Sequence, residues 1–104
     1  MSKFGLPPTT IAIIHAIFAT EPALQRAVLY GSRAKHTHRP GSDIDLTLFG
    51  EGLTETTRSR IAQQLEASPI PYYVDLSLWD QIDNEALRDH VNRIGQVFYE
   101  RTAP

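Results

Sequence analysis

No cysteine occurs in the 104 residues, which excludes disulfides and thiolate metal sites and leaves nothing that needs an oxidising compartment. Neither sign of charge dominates: ten Lys and Arg stand against twelve Asp and Glu, a net charge of -2. A protein that grips nucleic acid usually carries a basic face, so direct nucleic-acid binding is not expected. Long apolar runs are missing as well. The longest mainly apolar run, Ile11 to Ala19 with His15 inside it, is far too short for a bilayer, so no membrane association is expected. Lys3, Pro7, Pro8 and the threonines after them make a poor signal peptide, and the cytoplasm is the expected location. At 11.7 kDa the chain reads as one domain, residues 1–104, with one modest core. A second, substrate-recognising domain has no room there, so any acceptor is expected to be small or to belong to another chain.

Breakers and periodicity divide the chain. Pro7 and Pro8 close a start expected to be flexible, and Thr9 or Thr10 can cap a helix to about Thr20, with Ile11, Ile14 and Phe18 in one stripe. Glu21-Pro22 stops it. Ala27 to Tyr30 is a short apolar strand, Gly31 turns it into a loop, and Ile44 to Phe49 is a second strand. Thr54 caps a helix to about Ala67, Tyr72 to Leu78 reads as a third strand, and Asp83 or Asn84 caps a last helix ending at Gly95. Gln96 to Tyr99 adds a short edge strand. The class is α/β (α+β): a small sheet of three to four strands flanked by helices.

The chemistry concentrates in one segment, Tyr30-Gly-Ser-Arg-Ala-Lys-His-Thr-His-Arg-Pro-Gly-Ser-Asp-Ile-Asp-Leu46. Gly31 and Ser32 form a small-residue turn suited to phosphate, and ten residues later come Asp43 and Asp45. Alternation along a strand puts Asp43, Asp45 and Thr47 on one face and Ile44, Leu46 and Leu48 on the other. The two carboxylates then stand roughly 6.5 to 7 Å apart by their α carbons, a spacing from which they can bend inward around magnesium. Together these parts suit a nucleoside triphosphate and its metal.

Other groups are weighed beside that segment. Arg33, Lys35 and Arg39 are three of the ten basic residues, crowded beside the turn, and Arg33 is taken as a nucleotide-binding candidate. Asp75 shares a face with Tyr73 and Ser77 inside an apolar strand, where an acid is costly unless paired or metal-bound, which makes it the third carboxylate. His36 and His38 read as loop residues, because no third zinc ligand is near in sequence and there is no cysteine. His15 and His90 read as packing or partner-facing residues, and Trp79 as a candidate partner contact.

The Gly-Ser-x10-Asp-x-Asp spacing resembles the signature of the DNA polymerase beta-like nucleotidyltransferase superfamily. Within it the chain is similar to the minimal nucleotidyltransferases (MNT) that act as antitoxins to HEPN-domain toxins. The resemblance runs from the first helix through the Gln96 to Tyr99 segment, with Gly31, Ser32, Asp43, Asp45 and Asp75 on the family's functional positions. It implies a mixed sheet whose third strand supplies Asp75 beside the Asp-x-Asp strand, to take a proton from the attacking hydroxyl. It also implies ATP as donor, two Mg2+ ions held by Asp43, Asp45 and Asp75, and transfer of AMP with loss of pyrophosphate. The implied acceptor is a tyrosine of a HEPN-type ribonuclease toxin, bound in a heteromeric complex. The competing expectations are a non-catalytic antitoxin that neutralises by masking, and a transferase acting on RNA ends or a small molecule. The acidic balance weighs against RNA.

Overall fold

A computed structural model describes residues 3–101. Its elements are α1 (Pro8–Ala19), β1 (Arg26–Tyr30), β2 (Ile44–Phe49), α2 (Glu55–Ala67), β3 (Val74–Leu78), α3 (Glu85–Ile94) and β4 (Gln96–Glu100), with a 3-10 turn at Trp79–Gln81. The four strands form one mixed sheet in the order β3-β2-β1-β4. β1 is antiparallel to β2 and β4, while β2 and β3 run parallel. The small mixed sheet and its flanking helices agree with the reading from sequence.

Local chemistry explains where the helices start. The Thr54 hydroxyl accepts from Thr57 N–H at 3.2 Å and caps α2. The Asn84 side chain, rather than Asp83, accepts from Leu87 N–H at 3.0 Å and caps α3. α1 departs from expectation. It begins at Pro8 with Pro7 at the cap and no side-chain capping bond, so neither Thr9 nor Thr10 does that work. Proline suits the first helical position because the N–H it lacks would find no partner there. The start expected to be flexible is corrected too, apart from Met1 and Ser2, which lie outside the described residues. Lys3 and Leu6 exchange backbone hydrogen bonds of 3.1 and 2.9 Å, and Phe4 and Leu6 belong to the core.

Strand alternation divides the sheet into two unlike faces. Ala27, Leu29, Ile44, Leu46, Leu48, Val74, Leu76 and Leu78 are buried and pack with Ile14 and Phe18 of α1 and Ile61 and Leu65 of α2. The opposite face receives α3 against β1, where Val91 is the buried residue of the helix. Only part of this second face is covered. Gly95 lies so close to β1 that a β carbon there would sit 2.7 Å from Val28 Cγ1, which brings the end of α3 down onto the strand. No helix among the described residues is long and apolar enough to cross a membrane.

One ion pair joins the helices of the covered face. Glu21, just after α1, is buried and accepts both Arg60 Nε and Nη2, at 2.7 and 2.8 Å. The hydrogen bond from Arg60 is the main reason that the Glu21 pKa lies below its ordinary value, with Arg60's charge adding to it. A depressed carboxylate pKa stabilises the fold above the unfolded pKa, and that contribution is lost as pH falls through the folded one. Arg60→Ala is therefore expected to lower the melting temperature by a few degrees at neutral pH. Exposure of Arg60 keeps the effect modest and salt-sensitive. Melts from pH 7 downward check this: the deficit should close in acid, below the depressed Glu21 pKa.

Candidate active site

The uncovered part of the second face carries the acids. Register places Tyr30 of β1 opposite Asp45 of β2, and Asp45 opposite Asp75 of β3, so the three residues form one row across the sheet. Neighbouring strands lie about 4.8 Å apart, which brings these side chains within reach of a shared ligand. Asp43 stands just before β2 and is exposed. Asp75 is exposed as well, which corrects the expectation of a costly buried acid. β3 is an edge strand, and this face of it opens to solvent.

Asp45 is the half-buried member of the group, and its pKa is raised. Burial is the largest cause. The Asp75 and Asp43 carboxylates add to it, and His90 would oppose them only with its ring charged, a form in which Nε2 accepts no hydrogen bond. Burial likewise raises the Tyr30 phenol; the Ser77 hydroxyl beside it acts the other way, and Asp75 and Asp45 push in the same direction as burial. The donor set is all hard oxygen. Among the described residues no three His, Cys, Asp or Glu side chains form a ready metal cage. The oxygen donors fit magnesium, which binds through one or two carboxylates and completes its shell with phosphates and water.

Gly31 ends β1 in left-handed backbone at φ 77°, and a β carbon there would lie 2.3 Å from Asp45 Oδ2. Glycine is thus required twice, by the turn and by the carboxylate resting against it. The residues that follow form a hydrogen-bonded turn rather than the start of a helix. Lys35 N–H donates to Gly31 O at 3.2 Å, and Thr37 N–H to Ser32 O at 2.9 Å. Ser32 is half-buried beside Gly31.

Arg33, expected among the nucleotide-binding groups, has another task. It is 1% exposed. Its Nε and Nη2 donate to Ser42 O at 3.1 and 2.8 Å, and Nη1 donates to Phe4 O at 2.9 Å. The guanidinium also lies over the Tyr72 ring. With its donors directed to backbone carbonyls, Arg33 clamps the turn to the residue preceding Asp43. Lys35 and Arg39 remain exposed. His38 packs over Gly5, and His36 is exposed. Trp79 stacks on Phe49 with ring centroids 5.1 Å apart, and Arg88 covers it.

His90, read from sequence as a packing or partner-facing residue, joins the site. Gly31 N–H donates to His90 Nε2 at 3.2 Å, and the imidazole stands edge-on to the Tyr30 ring. A separation of 59 residues hides this pairing from any local pattern. At the β3 edge, α2 and β3 bound a cavity of about 360 Å³ whose lining includes Asp75 itself together with Arg58, Leu65, Tyr72 and Tyr73.

Comparison with known proteins accords with this fold. The family model described as Polymerase beta, Nucleotidyltransferase matches residues 13–103. A search of curated proteins finds no match. Among solved structures, a toxin–antitoxin with AMP-PNP is 26% identical, covering 88% of this chain and 74% of that one at a TM-score of 0.70. A mutant MntA–HpeT toxin–antitoxin is also 26% identical, with coverage of 93% and 75% and a TM-score of 0.67. The complex of a tri-AMPylated Shewanella oneidensis HEPN toxin with its MNT antitoxin is 24% identical, with coverage of 89% and 71% and a TM-score of 0.65. At that identity it speaks for the fold.

The raised Asp45 pKa has a consequence for stability. A carboxyl whose folded pKa lies above its unfolded value favours folding when protonated, and that contribution is lost as pH rises through the folded pKa. Asp45→Asn should therefore melt at or a few degrees above wild type at neutral pH without ligand, and the gain should fade toward pH ~4. MgATP should raise the melting temperature of wild type and raise it less in the variant. Gly31→Ala should behave in the opposite way, losing about 1–2 kcal/mol to left-handed backbone alone. Thermal melts across pH, with and without MgATP, check all three.

Proposed function

The chain belongs to the polymerase beta nucleotidyltransferase family, whose model spans most of its length, and on that premise we propose that it transfers AMP from MgATP to a hydroxyl acceptor. The row Tyr30–Asp45–Asp75, with the Gly31 turn against Asp45, is the observation that carries this reading. The proposed acceptor is a tyrosine of a HEPN-type ribonuclease toxin, which makes the chain its antitoxin. Support for the adenine nucleotide and the toxin partner comes from the 26% identical toxin–antitoxin relative with AMP-PNP. The AMP group and the tyrosine acceptor follow from resemblance to the MNT antitoxins. The cytoplasm, where ATP and a ribonuclease meet, is the proposed setting.

Each residue has a task in this reading. Gly31 and Ser32 receive the donor's phosphates. Asp43 and Asp45 would hold magnesium with Asp75, and when bound the metal neutralises charge on the phosphate oxygens. The acceptor oxygen attacks the α-phosphorus, a new P–O bond forms, and pyrophosphate departs. Asp75, exposed at the sheet edge on the cavity side, takes the acceptor's proton. Arg33 works through the backbone, holding the turn and Asp43 at a fixed separation.

Co-expression of the chain with a neighbouring helical protein bearing an Arg-x4-6-His motif tests this. Label from α-labelled ATP should become covalently attached to the partner, and label from γ-labelled ATP should not. Asp43→Asn and Asp45→Asn should each cut labelling by about a hundredfold or more while the complex stays intact on sizing. A stable complex that silences the toxin with no label in wild type would replace transfer with masking.

A further inference from the structure

We propose that His90 is the displaceable occupant of the donor's phosphate cradle. Its imidazole holds the Gly31 amide in the ligand-free chain and yields it to an oxygen of the entering triphosphate. This deepens the nucleotide reading of the Gly31–Ser32 turn and rests on it.

The hydrogen bond itself assigns the roles. A backbone N–H can only donate, so His90 Nε2 accepts and its ring proton lies on Nδ1. One N–H cannot serve the imidazole and a phosphate oxygen in full at once. A charged phosphate oxygen makes a shorter and stronger bond than a neutral ring nitrogen, so the exchange favours phosphate. On its other side Gly31 meets Asp45 Oδ2, which accepts and does not donate. The imidazole is therefore the neighbour of Gly31 that stands at its donor and must leave.

Placement of the ring follows from the fold. Val91 buries the end of α3, and the close approach of Gly95 to Val28 sets that end down on β1. His90, one residue before Val91, then reaches the end of β1 at Gly31. Contact with the Tyr30 ring at a centroid distance of 6.2 Å guides the imidazole, while Ala86 and Arg93, its same-face neighbours on the helix, are exposed. A half-buried ring in that position has a way out toward solvent.

A second tie from the same region behaves differently. Just past α3, Gln96 Nε2 donates to Ala34 O at 3.1 Å, gripping the same turn. That bond ends on a carbonyl, for which an anion does not compete. Phosphate entry should therefore break the His90 tie and leave the Gln96 tie in place. Only the first withholds a donor from the ligand.

The test uses the isotopically labelled full chain titrated with magnesium AMP-PNP, and separately with the magnesium complex of inorganic tripolyphosphate. In free wild type, a through-hydrogen-bond nitrogen–nitrogen coupling should join Gly31 N and His90 Nε2, and it should vanish as either probe saturates. His90→Ala should shift the Gly31 amide resonance without ligand. It should also bind AMP-PNP about fivefold tighter, the effect of one neutral hydrogen bond that no longer competes. His90→Gln, whose side-chain oxygen can take the place of Nε2, should return affinity toward wild type. Gln96→Ala, which loosens the same turn without freeing a donor, should not tighten binding. Persistence of the coupling at saturation overturns the proposal even if His90→Ala fails to fold. Unchanged or weaker affinity in folded His90→Ala overturns it as well, and so does equal tightening in Gln96→Ala. If neither probe moves Gly31 in any chain, the nucleotide reading itself falls.

Discussion

Strand β2 is hydrogen-bonded along both edges, antiparallel to β1 and parallel to β3, and those two ladders decide where the acids stand. A slip of one residue on either side would turn Asp45 or Asp75 into the apolar core and a leucine or valine onto the open face. The register is hard to lose, because Ile44, Leu46 and Leu48 are buried at the centre of the core and Val74, Leu76 and Leu78 alternate with the acid of β3. The core and the site are two faces of one constraint. Packing the apolar residues of three strands on one side leaves Tyr30, Asp45 and Asp75 aligned on the other. Their alignment therefore costs no separate device.

The segment before β2 needs a device, because ten residues of loop separate Ser32 from Asp43. A loop of that length would ordinarily leave the Gly31 turn and the carboxylates free to move against each other. Arg33 supplies the connection. Its buried guanidinium spans from the turn to the Ser42 carbonyl beside Asp43, and a third bond to Phe4 ties both to the N-terminal segment. A buried cation is expensive unless its hydrogen bonds are satisfied, and here backbone carbonyls and the Tyr72 ring satisfy it. A residue type expected to meet phosphate instead holds the geometry of the site.

Much of this was legible in the sequence, and the misses share a cause. Alternation and breakers located the four strands and three helices within a few residues, and the Gly-Ser-x10-Asp-x-Asp spacing picked out Gly31 and Asp45, which the fold sets against each other. Strand order was not legible, since it depends on pairings that no local pattern carries. Pattern alone therefore encloses Asp75 in an apolar strand, whereas β3 is an edge and the acid faces water. The direction of Arg33 depends on where Phe4 and Ser42 come to lie, and the place of His90 depends on α3 settling onto β1. Both are tertiary facts. The burial of Phe4 and Leu6 had a signal, two large apolar residues ahead of Pro7, but the two prolines read as the close of a loose start.

The electrostatics of the ligand-free site point in one direction. Asp45 is half-buried beside two other carboxylates, and the causes that raise its pKa outweigh the one that lowers it. Lys35 and Arg39 extend into solvent, and Arg33 is spent on the backbone, so these three cations of the signature loop do not neutralise the acids directly. In the proposed function an entering triphosphate would bring further negative charge. Its approach would be favourable only together with a cation that the carboxylates and the phosphates can share, which would couple donor and metal binding. On the proposed reading, the open row formed by Asp45 and the exposed Asp43 and Asp75 would leave positions around such a cation for phosphate oxygens and water to fill.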